Sequence, residues 1–145
     1  MKYSSLYWED VMASQDLPTL SKEITVTTII IGAIATRDLY PLHHDFRFAQ
    51  KAGVRDILMN NITTGGFIGR YLTDWSGPEG EMRRMKFRLG MPCHPGDTLT
   101  MTGKVVKRYK DGDQHLVDIE YNFLVSEGSH CRGTATISMP SRVGA

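Results

Sequence analysis

The sequence is poor in cysteine, in net charge and in long apolar runs. Its two cysteines, Cys93 and Cys131, provide neither a disulfide framework nor a cluster of metal ligands, so we expect reduced thiols in a cytoplasmic protein. The net charge of +1 comes from 17 basic and 16 acidic residues, which argues against a nucleic-acid binder with a basic stripe. The longest uncharged apolar stretch, between Glu23 and Arg37, is shorter than the roughly 20 residues of a transmembrane helix. The opening residues lack the apolar core of a signal peptide.

The composition is that of one ordinary globular domain. The 145 residues are 41% hydrophobic and 23% charged, and they contain no internal repeat. We expect one domain over residues 1–145, with its core at about 8–140.

The second half of the chain alternates between apolar and polar residues, which predicts antiparallel strands with one buried face. The predicted strands are 83–89, 98–106, 116–125 and 133–139. Asp111-Gly112 predicts a hairpin turn between the second and the third.

The first half contains the expected partner of this sheet. Residues 63–75 carry an apolar stripe at helical spacing, although Gly65, Gly66 and Gly69 are poor helix formers. These glycines fit a helix that lies very close to another backbone, or one whose start is approached by a ligand. Three shorter elements precede this helix. They are a strand at about 21–26, a helix at 27–37 that Thr27 or Thr28 caps, and a helix at 46–52. The pattern predicts an α+β fold in which a long antiparallel sheet wraps around a central helix, as in a hot-dog domain.

Residues 35–49 carry the most chemistry. Pro41 disfavours helix at the residue before it, so the preceding helix should end near Asp38, with His43 beyond the turn. A carboxylate and an imidazole placed in this way can act together on one water molecule. A loop that caps itself is the alternative interpretation. A metal site is less favoured, because Asp38, His43, His44 and Asp45 include no cysteine and no histidine pair at helical spacing.

Residues 37–45 resemble the hydratase motif of the MaoC-like dehydratase and (R)-specific enoyl-CoA hydratase family. The likeness continues through the central helix and through residues 88–105, which include a Pro-Gly-Asp-Thr turn typical of the family. More narrowly, residues 8–11, 35–45 and 72–80 resemble the small MaoC subunit of bacterial steroid side-chain hydratases.

The resemblance implies a hot-dog fold and the addition of water to a trans-2-enoyl-CoA, or the reverse dehydration. Asp38 and His43 match the catalytic positions. The start of the central helix would hold the thioester oxygen, as helix N-termini hold anions. The residues implied in oxyanion or substrate binding are Asn61, Ile62, Thr64, Gly65 and Tyr40. The family uses no metal and no cofactor beyond the coenzyme A of its acyl-CoA substrate. The resemblance also implies a homodimer, or a heteromer with a second MaoC-like chain.

The sequence departs from the family at several positions. Asn60-Asn61 stands where the family commonly has His-Gly, and Arg37 replaces a glycine. Tyr40 replaces an asparagine, and it either lines the acyl pocket or only packs. A basic run that includes Arg84, Lys86 and Arg88 is either solvated or attracts the phosphates of coenzyme A.

Two other functions remain open at this stage. The chain is either an enzyme or a non-catalytic subunit that shapes the acyl pocket of its partner, and the presence of both Asp38 and His43 favours the enzyme. A hot-dog thioesterase would carry a carboxylate near the start of its central helix, whereas this helix carries only Asp74, at its far end.

Overall fold

A computed structural model describes residues 4–143. It contains five strands, three α-helices and two one-turn 3-10 helices, Trp8–Asp10 and Pro41–His43. The strands are β1 (Leu20–Glu23), β2 (Glu81–Leu89), β3 (Thr98–Asp111), β4 (Gln114–Val125) and β5 (Gly128–Ser138). The helices are α1 (Val26–Ala35), α2 (Phe46–Lys51) and α3 (Asn61–Ser76). No helix in the described part of the chain is long and apolar enough to cross a membrane.

The five strands form one antiparallel sheet in the order β1-β3-β4-β5-β2. The tight connections from β3 to β4 and from β4 to β5 make two long hairpins, so the three central strands are paired along most of their length. β2 follows α3 in sequence but lies at the sheet edge beside β5. The chain therefore passes the central helix before it closes this side of the sheet.

The central helix α3 packs on the inner face of the sheet. Its side chains Ile68, Tyr71 and Leu72 are buried, and the Tyr71 ring meets Phe123 of β4 edge to face at a centroid distance of 5.5 Å. The inner face of β4 is buried at every second residue, as predicted. The alternation predicted for β3 and β5 is also confirmed by their buried inner residues. A sheet wrapped around one helix is thus the observed architecture.

Several element boundaries, and the burial of one strand, differ from the sequence prediction. β1 ends at Glu23 because Thr25, rather than Thr27 or Thr28, caps α1 through the N–H of Thr28. The central helix begins at Asn61 instead of 63, since Asn60 provides the cap. On β2, Met85 and Leu89 lie on the face that was expected to be buried but are 39% and 45% exposed, because among the described strands β2 has a neighbour on one side only.

The contact between α1 and α3 is close at Gly32. A Cβ atom added to Gly32 would lie 2.4 Å from Oγ1 and 2.9 Å from Cγ2 of Thr63 on α3. Thr63 is β-branched and stiff in a helix, so it cannot swing away at little cost. The absence of a side chain at residue 32 therefore sets the distance between the two helices. In contrast, no described atom lies within 4 Å of a Cβ added to Gly66 or Gly69, so the close backbone approach offered as one reason for these glycines is not present within this chain.

We predict that Gly32→Ala destabilises the protein although alanine is the better helix former. Overpacking should exceed the gain in helix propensity and lower the free energy of unfolding by about 1–2 kcal/mol. Gly66→Ala is the matched control, because its helical position is open, and it should raise the same quantity by about 0.5–1 kcal/mol. Urea unfolding of both variants checks this, and a Gly32→Ala protein as stable as Gly66→Ala contradicts it.

Candidate functional site

Asp38 is positioned by the end of α1. The N–H of Arg37 donates to the carbonyl of Ile34, and the N–H of Asp38 donates to that of Ala33, with distances of 3.1 and 2.9 Å. This pair of bonds is the Schellman arrangement, which reverses the chain through one left-handed residue. Arg37 is that residue, with a φ of 56°. The glycine that the family resemblance implies at this position would adopt positive φ without steric cost.

His43 is positioned by the turn that follows. Tyr40 is extended, as residues before proline usually are, and Pro41 starts the 3-10 helix that ends at His43. The imidazole is 7% exposed, and its Nδ1 lies 2.7 Å from the carbonyl oxygen of Leu58. A carbonyl can only accept, so Nδ1 carries a hydrogen. The other ring nitrogen, Nε2, is thereby directed to the site.

The two predicted residues meet. Nε2 of His43 lies 3.3 Å from Oδ2 of Asp38, whose side chain is 29% exposed. A carboxylate beside an imidazole nitrogen stabilises the imidazolium that forms when this nitrogen accepts a proton during a reaction. Oδ1 of Asp38 has no hydrogen-bond partner within residues 4–143, which leaves one carboxylate oxygen for a water molecule or a ligand. The arrangement can therefore take up a proton and return it.

Asn60 connects this pair to the central helix. Its Nδ2 donates to Oδ2 of Asp38 at 3.0 Å and to Oγ1 of Thr36 at 2.7 Å, while its Oδ1 accepts from the N–H of Thr63 at 2.9 Å. The residue is 3% exposed. Asn60 is a departure from the family pattern in the sequence, and its contact with Asp38 was not predicted. The available signal was an asparagine directly before an apolar helical stripe, which is typical of an N-cap.

The start of α3 offers two free backbone donors. Within residues 4–143 the N–H groups of Asn61 and Ile62 have no acceptor, and both residues are exposed. The N–H of Thr64 instead donates to the carbonyl of Asn60. Gly65 lies one residue deeper, where the N–H is used inside the helix. The free N–H groups at the helix end are therefore those of Asn61 and Ile62, and the expectation that Asn61, Ile62, Thr64 and Gly65 bind the oxyanion or the substrate stays a prediction.

Tyr40 lies beside the imidazole. Its ring meets those of His43 and Phe48 edge to face, with centroids 6.3 and 5.5 Å away, and it is 54% exposed. Both expectations for Tyr40 fit this position, because the ring packs on one side and is open on the other.

The basic run does not lie near this pair. Arg84, Lys86 and Arg88 are exposed on β2, where they alternate with the inner residues Met85 and Phe87. Those two side chains face α3 near Gly65, at 3.8–3.9 Å from a Cβ placed there. The cations therefore lie on the outer face of the sheet. Asp38 and His43 lie on the opposite side, where α3 covers the inner face. A single chain does not bring the basic run to the Asp38–His43 pair.

Other reactive side chains in the described region are either buried or held by hydrogen bonds and ion pairs. Burial raises the pKa of Cys93 and of Cys131 to about 12, so both remain protonated thiols without nucleophilic character. Burial alone would raise the pKa of Asp97, but the His94 N–H, Ser126 and Arg55 outweigh it and hold the value below its usual range. Residues 4–143 contain no group of three His, Cys, Asp or Glu side chains placed to hold a metal ion.

The chain is similar to known proteins in both sequence and structure. The family model described as MaoC like domain matches residues 12–126. The chain is 36% identical to the 3-oxo-4,17-pregnadiene-20-carboxyl-CoA hydratase beta subunit of Mycobacterium tuberculosis, over 85% of this chain and 92% of that protein. It is 26% identical to an (R)-specific enoyl-CoA hydratase of Rhodospirillum rubrum, over 94% of this chain and 93% of that one.

A solved structure supports the same relationship. The crystal structure of the ChsH1-ChsH2 complex from Mycobacterium tuberculosis contains a chain that is 34% identical and superposes with a TM-score of 0.82. The match covers 88% of the present chain and 98% of the other. The predicted hot-dog fold is confirmed by this likeness and by the observed sheet order.

The left-handed turn before Asp38 gives a test of how that residue is held. We predict that Arg37→Gly raises the free energy of unfolding by about 0.5–1 kcal/mol, because glycine relieves the positive φ. Arg37→Ala is the control, since it removes the guanidinium but keeps Cβ, and it should bring no gain. Urea unfolding measures both, and equal stabilisation by the two variants would show that the side chain rather than the turn is responsible.

Proposed function

This chain belongs to the MaoC-like domain family, and we propose that it adds water to a trans-2-enoyl-CoA to form a 3-hydroxyacyl-CoA, or catalyses the reverse dehydration. The observation that carries the proposal is the 3.3 Å contact between His43 and Asp38, beside the free N–H groups at the start of α3. Hydration requires a proton acceptor for water and a site for negative charge on the thioester oxygen. The His43–Asp38 pair supplies the proton acceptor, and the N–H groups at the start of α3 supply the site for the negative charge.

In the proposed reaction a water molecule binds between Asp38 and Nε2 of His43. One water proton moves to this pair as the water oxygen forms a bond to C3, and the alkene electrons shift through C2 to the thioester oxygen. The same pair then gives the proton to C2 as the electrons return. Asp38, held by Asn60, stabilises the imidazolium in between. The product contains both hydrogens of the water, and no oxidant is needed.

The thioester oxygen becomes negative during this addition. The N–H groups of Asn61 and Ile62 and the positive end of α3 are suited to bind it. One such donor contributes roughly 2.7–4 kcal/mol in measured oxyanion holes. Asn60 therefore has two tasks in the proposed site, because it contacts Asp38 with its side chain and immediately precedes both donors.

We propose a bulky, steroid-like acyl group for the substrate. The support is the 36% identity to a beta subunit whose name describes a pregnadiene-carboxyl-CoA hydratase. Exposed apolar side chains lie around the proposed entrance, namely those of Tyr40 beside His43 and Ile62 at the helix start, which are 54% and 55% exposed. A large apolar group would cover them, and Gly66 and Gly69 leave the neighbouring surface of α3 open.

We also propose that the working unit contains a second MaoC-like chain, either another copy or a different protein. The similar solved structure is a complex of two proteins, and the similar hydratase is a beta subunit. Within the described chain, β2 is an edge strand of nine residues that exposes Met85 and Leu89. An exposed apolar edge normally pairs with another chain. The alternative of a non-catalytic subunit is disfavoured, because this chain retains both Asp38 and His43.

Removal of either catalytic group should abolish hydration. We predict that Asp38→Asn and His43→Gln each lower kcat by about 10²–10⁴-fold, the usual contribution of general acid–base catalysis. His44→Gln is the matched control, since His44 is exposed next to the site and should keep full activity. The loss of enoyl-thioester absorbance, followed with the assembled protein, measures hydration, and a thiol reagent detects thioester cleavage. Undiminished turnover in both site variants would rule out the mechanism.

The edge strand provides a test of assembly. We predict that Met85→Asp combined with Leu89→Asp converts the assembled protein to smaller species, because two carboxylates at a paired edge oppose association. Leu124→Asp is the control, since Leu124 is 38% exposed on β4, which is paired with β3 on one side and β5 on the other. Sedimentation velocity measures the change. An unaltered sedimentation coefficient for the β2 variant would place the interface elsewhere.

A further inference from the structure

A second buried histidine lies behind the proposed site. His130 is on β5, is 3% exposed and takes no part in the mechanism above. Its Nδ1 lies 2.7 Å from the carbonyl oxygen of Met91, and its Nε2 lies 3.0 Å from Oγ1 of Thr64 on α3. The imidazole of this β5 residue thus connects the segment that follows β2, at Met91, to the first turn of the central helix.

The direction of these hydrogen bonds is fixed by their partners. The Met91 carbonyl can only accept, so Nδ1 of His130 donates to it. Burial lowers the pKa of His130 below its ordinary value and favours the neutral ring, although Met91 and Asp97 act in the opposite sense. In the neutral ring Nε2 carries no hydrogen, and it accepts from the hydroxyl of Thr64.

Thr64 in turn contacts the main chain of Asn60. Its N–H donates to the carbonyl oxygen of Asn60 at 3.1 Å, and the residue is completely buried. The hydroxyl oxygen also lies 3.1 Å from that carbonyl oxygen, but its one hydrogen is donated to His130, so the N–H makes the hydrogen bond to Asn60. Asn60 is the residue whose side chain donates to Asp38 and which precedes the free N–H groups of Asn61 and Ile62. β5 is therefore connected to both halves of the proposed site in two steps: the side chain of Thr64 donates to His130, and the main-chain N–H of Thr64 donates to Asn60.

We infer that Thr64 and His130 are positioning residues: they hold the backbone of Asn60, and through it the Asp38 carboxylate and the first two N–H groups of α3, in the geometry that hydration requires. The inference rests on the proposed function. A small rotation of Asn60 would move its Nδ2 away from Asp38 and redirect the adjoining N–H groups at the same time. Misplacement of this kind reduces rate far more than substrate binding.

The test uses two substitutions at one position. Thr64→Val keeps the shape of the side chain but removes the hydroxyl, whereas Thr64→Ser keeps the hydroxyl. In the assembled protein we expect Thr64→Val to lower kcat by about five- to tenfold, the scale of one lost hydrogen bond, with KM changed less than about twofold. Thr64→Ser should restore kcat to within about twofold of the original protein. Equal kcat for the original protein and Thr64→Val overturns the inference, as does an equal loss in Thr64→Ser.

A second measurement separates this inference from the proposed function. The side-chain amide of Asn60 gives its own resonances in nitrogen-15 NMR spectra, and these report its hydrogen bond to Asp38 without any turnover. We expect them to shift in Thr64→Val and in His130→Leu, and to remain in place in Thr64→Ser. If the original protein hydrates no enoyl-CoA, the proposed function fails, but a shift of these resonances still supports the positioning path. Unshifted resonances in both Thr64→Val and His130→Leu refute it.

Discussion

The cap of the central helix is the interaction on which the site depends. One asparagine side chain, that of Asn60, satisfies the N–H of Thr63 and also donates to Asp38. A helix N-terminus needs such an acceptor, because its first N–H groups have no partner within the helix. By using a residue with both an acceptor and a donor, the fold joins the end of α1 to the beginning of α3. Stability of the helix and placement of the carboxylate are thus achieved by the same group.

The rest of the molecule holds the end of α1 and the beginning of α3 together. The sheet wraps around α3 through buried residues such as Phe123, which meets Tyr71 edge to face. Gly32 allows α1 to approach α3 at Thr63, next to the capped turn. The same wrapping leaves β2 with one unpaired edge, since β5 is its one neighbour among the strands of residues 4–143. The geometry that positions the site therefore also creates the surface that another chain is proposed to cover.

The fold was largely predictable from the sequence, because its strands show clear alternation and its central helix has an apolar stripe. The position of Asp38 and His43 on opposite sides of a proline turn was predictable for the same reason, since Pro41 restricts the chain locally. The contact between Asn60 and Asp38 was not, because it joins residues 22 positions apart through tertiary packing. The exposure of Met85 could not be read from alternation either, since period two gives the face of a strand but not whether the strand is at an edge.

The central claim is that Asp38 and His43 direct water to carbon 3 of an enoyl thioester. The most direct measurement is the incubation of the assembled protein with a trans-2-enoyl-CoA in oxygen-18 water, followed by mass spectrometry of the products. We expect the heavy oxygen to enter the 3-hydroxyl group while the thioester remains intact, and we expect Asp38→Asn to slow this incorporation by about 10²–10⁴-fold. Heavy oxygen in a free carboxylate, with the alkene unchanged, would identify thioester hydrolysis and contradict the account.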